Sequence, residues 1–547
     1  VDGRRRWGSI ALLLSGLPGL AAAADAQLAA AEQRYGDWLD ASYAILSIDA
    51  GAVSTVADRD RAAWLAIRGE NETALGPALA ALGARRLGRQ DARAVRLMQA
   101  TLADPPTDPV ESAPGASAPL CDTAADRGLD RAALSRALYA CFEHVGNHVP
   151  FEGRTIARAT ALELLQQLDT AGRRAALFEA LAPLWQRING ADEPDSPYRR
   201  LLRLAAAEQR AKGSSPIEDG ARTVGASVAD AERWLLEVLE AWRRANPGPA
   251  LEPWDYWRRY AGGVAPLDAL TPPERVLPLS MAFYRDLGAD LDALGVLHDL
   301  AVRPGKAPLA YEDAVQIGRP SRTGWRPAIS RVSANVEHPG LFVLNELVHE
   351  DGHAVHMQAV RTRPAFFGLG DDLFLEAFAD VPAWSVLEPR WQRRYLGRSV
   401  DERTALRALF ANVMLDVAWG LFELRMLKDP DGDPNAVWTE ITGRYLNVRP
   451  HPELSWWALR VQLVDQPGYM INYGLGAVLT ADLRARLRAA IGDFDAGNRR
   501  WYPYLLRELL RFGFSLDTPP LLERFLGRPV SNAALLAQIA RIGDEAR

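Results

Sequence analysis

NELVHEDGHAVHMQAV, residues 345–360, is the stretch from which the rest of the chain is read. It has helical periodicity and no proline, so it predicts a helix. On that helix His349 and His353 project from one face, one turn apart. Two imidazoles so placed can hold a single metal ion, for which the residue types favour Zn2+. Glu350 is rotated about 100° from His349, which suits a group that reaches a water at the metal rather than the metal itself. Histidine is scarce: of eight in 547 residues, three fall between 349 and 356. The alternative, a pair of structural histidines on a buried helix face, would have to account for a third donor at the right distance. His356 either lines the site, tunes it from behind the ligands, or is a hydrogen-bonded core residue.

The third donor is sought downstream. After the loop RTRPAFFGLGDD a new helix is predicted to begin at Asp371 or Asp372, and it reads FLEAFADVPAW. Glu376 lies 23 residues after His353, and Asp380 follows one turn later on the same face. That pair supplies an oxygen ligand for zinc and a second carboxylate to accept a histidine N–H. Two alternatives stay open, in which Glu376 is a surface carboxylate or Asp380 is the ligand. Pro382 is expected to kink this helix or end its regular bonding just after Asp380.

Further out, nearly every long segment reads as helix, rich in Ala, Leu, Arg and Glu with apolar residues every three or four positions, as in 228–244 and 483–491. The best strand candidate is AISRVSANV, 328–336, just before the motif helix. Residues 104–119, DPPTDPVESAPGASAP, form a Pro/Ser-rich break read as an extended loop. Shorter loops are expected at 189–197 and 246–253. The 16 tryptophans are assigned to core rather than to a stacking platform.

Composition excludes some classes. Apolar residues make up 48% and charged residues 24%, as in a soluble globular protein. A net charge of -6 gives no reason to expect nucleic acid as a partner. The N-terminus carries Arg4, Arg5 and Arg6, an apolar run over 10–20 and the small-residue stretch 21–26. This describes a signal peptide over 1–26 and a periplasmic or secreted mature chain, with an uncleaved anchor as the alternative. No other segment is expected to reach membrane-spanning length. Cys121 and Cys141 either form a disulfide, contributing roughly 3 kcal/mol in an oxidising compartment, or stay buried as thiols.

HEDGHAVH, 349–356, resembles the HEFGHxxH signature of the thimet oligopeptidase/neurolysin family of zinc peptidases. LEAFADV, 375–381, resembles the EAIGDV-type segment of angiotensin-converting enzyme, a related helical peptidase. LHDLAVRPGKAP (297–308) is similar to the stretch before the zinc helix in the oligopeptidases, and QPGYMINYGLGAVL (466–479) to a bacterial oligoendopeptidase segment. RPAISRVSANV (326–336) falls where that family places the cleft strand that pairs with substrate backbone. The resemblance runs from about 285 to 490.

It implies an all-α, bilobed, mostly helical fold with a deep central channel and a small cleft strand or sheet. The lobes would be 27–280 and a catalytic 281–547. It implies His349, His353 and Glu376 as zinc ligands and Glu350 as general base. Tyr473, or Tyr469 beside it, would stabilise the oxyanion. Substrates would be short peptides, cut internally or by a carboxydipeptidase action like that of angiotensin-converting enzyme. A non-catalytic peptide-binding protein on the same fold is the second class. Two departures are visible: Asp351 replaces the usual aromatic, and no histidine shortly precedes Tyr469, His451 being too far away.

Overall fold

The computed structural model describes residues 26–49, 55–103, 105, 127–303, 306, 310–321 and 323–543. Helices dominate it, as the all-α expectation requires, because the sequence combines strong helix formers with explicit start signals. The segment expected at 228–244 forms helix Val228–Ala245. Ser227 and Asp230 close a capping box at its start, and Leu235, Val238, Leu239 and Trp242 are buried along one face. The segment at 483–491 is the C-terminal part of a longer helix, Met470–Ile491. One core cluster runs from Leu134 to Ile542 and includes residues on both sides of position 280. A second joins the N-terminal helices, through Leu28, Trp38 and Leu75, to Met357, Val360 and Phe366. The tryptophans belong largely to the core: Trp38, Trp242, Trp391, Trp438, Trp456, Trp457 and Trp501 are among the largest fully buried side chains.

The strand expected at 328–336 is present as Ile329–Ser333, but it is not the edge that a substrate could reach. Val296–Asp299 pairs with it in parallel and Tyr311–Gln316 in antiparallel register, so both its hydrogen-bonding sides are taken. The edges of this sheet are Val296–Asp299 and Tyr311–Gln316. The periodicity of the short outer strands is too brief to register in sequence.

Helix Asp372–Val386 continues past Pro382 to Val386 rather than ending after Asp380. Neighbouring side chains take up carbonyls around the proline: Thr480 Oγ1 donates to Ala377 (2.9 Å), Asn345 Nδ2 to Ala383 (2.7 Å) and Arg484 to Val381. Tertiary donors thus satisfy the backbone near a residue that brings no N–H of its own.

Contrary to the sequence expectation, helix Glu402–Lys428 is long and apolar enough to cross a membrane by length and composition alone. It is a core helix here, with 78% of its most apolar window buried. The signal segment lies outside the described residues apart from Ala26, which opens the first helix, and so does most of the 104–119 loop. Cys141 is buried, and no described cysteine is free. Its expected partner, Cys121, is outside the described residues.

Candidate metal centre and active-site cavity

The site is built where two helices cross closely. The motif helix, Leu341–Ala359, is buried on nearly all sides from Leu347 onward. It packs against the carboxylate helix, Asp372–Val386. Gly352 sits at the crossing: a Cβ there would meet Ala379 Cα at 3.0 Å and the Ala379 carbonyl oxygen at 3.1 Å. The small residue between the two histidines therefore lets the helix axes approach until Glu376 reaches them. Asp351, the residue that departs from the resemblance, is fully buried. It accepts from Ser280 Oγ (2.5 Å) and faces His298 Nε2 (2.8 Å), tying the motif helix to helix Pro273–Asp286 and strand Val296–Asp299.

His349, His353 and Glu376 converge as expected. The two Nε2 atoms are 3.1 Å apart, and Glu376 Oε2 lies 3.4 Å from His349 Nε2 and 3.9 Å from His353 Nε2. A tetrahedral zinc ion with ligands at about 2.0–2.1 Å spaces its ligand atoms about 3.4 Å apart. The observed set brackets that spacing, so the donors fit a zinc ion. Of the two readings for the carboxylates, the geometry places Glu376 among the ligand atoms and Asp380 behind them, its Oδ1 2.9 Å from His349 Nδ1. Among the described residues His353 has no such acceptor; its Nδ1 is buried without a hydrogen-bond partner.

Burial and local charge tune these groups. Burial depresses the His353 imidazole, with help from neighbouring His349, to about 3. Burial works the same way on His349, but Asp380 and Glu376 outweigh it and hold that ring well above its ordinary value. Burial alone would raise the Glu376 carboxyl; contact with the two histidines and the Tyr469 hydroxyl brings it below the usual glutamate range. Glu350 is 6% exposed, and burial pushes its carboxyl up to about 8 despite the adjacent His349.

His356 does not reach the site. It is 1% exposed, packs edge-on against the rings of Phe374 and Phe378, and is a core residue. The two tyrosines differ in their contacts. Tyr469 donates its hydroxyl hydrogen to Glu376 Oε1 at 2.9 Å. Tyr473, one turn on, lines the cavity with Arg460 5.0 Å from its ring centroid and its hydroxyl accepting from Gln462 (3.4 Å).

The metal group opens on a cavity of about 880 Å3. Its walls combine the motif and carboxylate helices with distant segments: Tyr43 and Leu46 of helix Ala26–Asp49, Arg158 and Glu163 of helix Arg158–Gln167, edge-strand residues Tyr311–Ala314, Asp416, and Arg460. His451 is not among them; it is bound by Glu453 and Glu252 on the surface. Arg460, nine residues before Tyr469, is the cation near the tyrosines, paired with Asp416 at 2.6 Å. Sequence reasoning missed Arg158, Arg460 and Asp416. Arginines are abundant in this chain, and only the tertiary fold separates these two from the surface ones.

Fold and site together define a class: a helical, peptidase-like fold carrying a two-histidine, one-carboxylate donor set on the wall of a large cavity. Among solved structures, the chain is similar to an M32 carboxypeptidase from Deinococcus radiodurans R1. The TM-score is 0.56 at 16% identity, over 95% of this chain and 99% of that one. It is also similar to the structure of a protein called CHT, with TM-score 0.54 at 16% identity over 94% and 99% of the two chains. No protein-family model and no curated protein sequence matches the chain. The likeness is one of fold, to a helical carboxypeptidase; the closer tie to thimet oligopeptidase and neurolysin rests on the sequence motifs alone.

Proposed function

We propose that the chain is a zinc-dependent peptidase that hydrolyses short peptides inside this cavity. The observation that carries the reading is the convergence of His349, His353 and Glu376 within 4.8 Å of one another on the cavity wall, with Glu350 beside them. Zinc, when bound, polarises a scissile carbonyl and lowers the pKa of water toward about 7. Glu350 takes a proton from the attacking water on its carboxylate and delivers it to the leaving amine. Tyr473 offers its phenol O–H to the oxyanion that develops at the carbonyl. Asp380 and Tyr469 keep His349 and Glu376 in orientation through the hydrogen bonds described above. Strand Tyr311–Gln316 is an edge of its sheet, and its residues Tyr311–Ala314 line the cavity, where its backbone groups can align an extended peptide.

The test is digestion of mixed peptides of roughly 5 to 20 residues, read by mass spectrometry, with Glu350→Gln as control. Cuts that disappear in the control and with chelator support the reading. Intact peptides in the presence of bound zinc would move it to a peptide-binding protein on the same fold.

Arg158 favours a second reading, removal of residues from the peptide C-terminus. Arg158 lines the cavity; its guanidinium donates to the Leu459 carbonyl at 3.2 Å and rests 5.3 Å from the Phe142 ring centroid, and it makes no ion pair among the described residues. Burial, with Arg460 nearby, pushes it down to about 10 and outweighs the attraction of Glu346, so an arriving carboxylate would stabilise the charge further. On this reading Arg158→Ala raises KM for peptides with a free C-terminus and leaves amidated peptides unaffected. Equal effects on both would favour internal cleavage. Export to the periplasm or medium follows from the N-terminal segment and is tested by fractionating cells that express the full chain.

A further inference from the structure

Helix Glu402–Lys428 carries a glutamate that the peptide chemistry leaves unused. Glu423 is 1% exposed, and its two oxygens accept from the backbone N–H groups of Gly468 (2.7 Å) and Met470 (2.8 Å). Those residues flank Tyr469 at the start of helix Met470–Ile491, where the first N–H groups have no partner within the helix. Burying a carboxylate is costly unless its acceptors are used, and here both oxygens are used on one turn. The turn is also confined from the opposite side. Gly468 has φ +104°, and a Cβ there would lie 2.9 Å from Pro216 Cβ.

What the turn carries is Tyr469, whose hydroxyl holds Glu376 Oε1 at 2.9 Å. That bond leaves Oε2 as the oxygen facing the two histidines, at 3.4 and 3.9 Å. A continuous path thus links a glutamate in a remote helix to the orientation of a metal ligand.

We infer that Glu423 is a positioning residue: by gripping both N–H groups around Tyr469 it fixes that phenol and, through it, the ligand face of Glu376. The inference rests on the zinc-peptidase reading. Outer groups that orient metal ligands typically change metal affinity by about 10- to 100-fold. A glutamine at 423 keeps the shape but turns an NH2 toward one of the two N–H donors.

The experiment measures zinc affinity by competition with a chromogenic chelator for wild type, Glu423→Gln, Tyr469→Phe and the double variant, with circular dichroism checking the fold. Each single variant is expected to weaken zinc binding about 10-fold or more, and the double to fall no further than the weaker single. Wild-type affinity in Glu423→Gln, or multiplicative losses in the double, would reduce Glu423 to a structural cap and overturn the inference alone. A wild-type chain that takes up no zinc would overturn the peptidase reading with it. Should Glu423→Gln not fold, Glu423→Asp, which keeps the carboxyl group and withdraws it by one methylene, carries the same comparison.

Discussion

At the scale of single residues, burial sets the chemistry of the site. Glu350 and His353 are 6% and 7% exposed, and desolvation shifts one carboxyl up and one imidazole down, each toward its neutral form. A neutral His353 is the form that can donate a lone pair to a cation. A carboxyl whose pKa lies near the working pH can take up a proton as carboxylate and return it as acid. Glu350→Gln is expected to lower kcat/KM by about 10²- to 10⁴-fold with zinc content unchanged, measured by peptide turnover beside metal analysis. Tyr473→Phe is expected to raise the barrier by about 3 kcal/mol, roughly a 100-fold loss in kcat with little change in KM. A loss confined to KM would make Tyr473 a substrate-binding residue instead.

At the scale of elements, the site depends on how closely three helices meet. Gly352 sets the approach of the motif and carboxylate helices, and the added methyl of Gly352→Ala would force them apart by a few tenths of an ångström. The expected outcome is weaker zinc binding, seen in chelator competition, with the helical content retained. The carboxylate helix is in turn clamped to helix Met470–Ile491 by Asp495, which accepts from Ser385 Oγ (2.9 Å), Arg484 (2.6 Å) and Arg488 (2.7 Å).

Burial would raise the Asp495 carboxyl, but the two guanidinium groups outweigh it and hold it well below the usual aspartate range. A depressed carboxylate stabilises the fold fully above its unfolded value, near 3.9, and loses that contribution as pH falls toward its folded value. Urea unfolding is therefore expected to show stability dropping below about pH 4. Asp495→Asn should cost about 3–5 kcal/mol at neutral pH, because Arg484 is left buried with its nearest charge partner removed, and it should flatten that acid loss.

At the scale of the whole molecule, the N-terminal helices form part of the cavity rather than an appendage. Tyr43 and Leu46 stand in its wall. Ion pairs hold those helices to the body: Glu32 and Asp91 to Arg363 (2.9 Å each), Asp40 to Arg326 (2.6 Å), and Arg93 to Asp517 (2.5 Å). Beneath them Met357 and Val360 bury the end of the motif helix itself. Removing residues 26–103 is expected to uncover this apolar surface and yield a chain that aggregates on size-exclusion chromatography and binds a hydrophobic dye. A monodisperse truncated chain with full activity would show that the cavity is complete without them.

The candidate metal donors were legible in sequence because they obey local rules. Two histidines a turn apart, and two carboxylates a turn apart, share a face on any α-helix, whatever surrounds it. The helical character of the chain is legible for the same reason, being a sum of short-range propensities and caps. Tertiary structure decided the rest, since it depends on which distant segments meet. Glu376 rather than Asp380 meets the Nε2 atoms of both histidines because the helix crossing at Gly352 sets the depth of the contact. Tyr469 is committed to Glu376, and Tyr473 is left toward the cavity, because Glu423 fixes the turn between them and the loop before it. His356 meets phenylalanines instead of the metal group because its helix face turns into the core. Arg158 joins the site across almost 200 residues of chain, through a fold that no local pattern encodes.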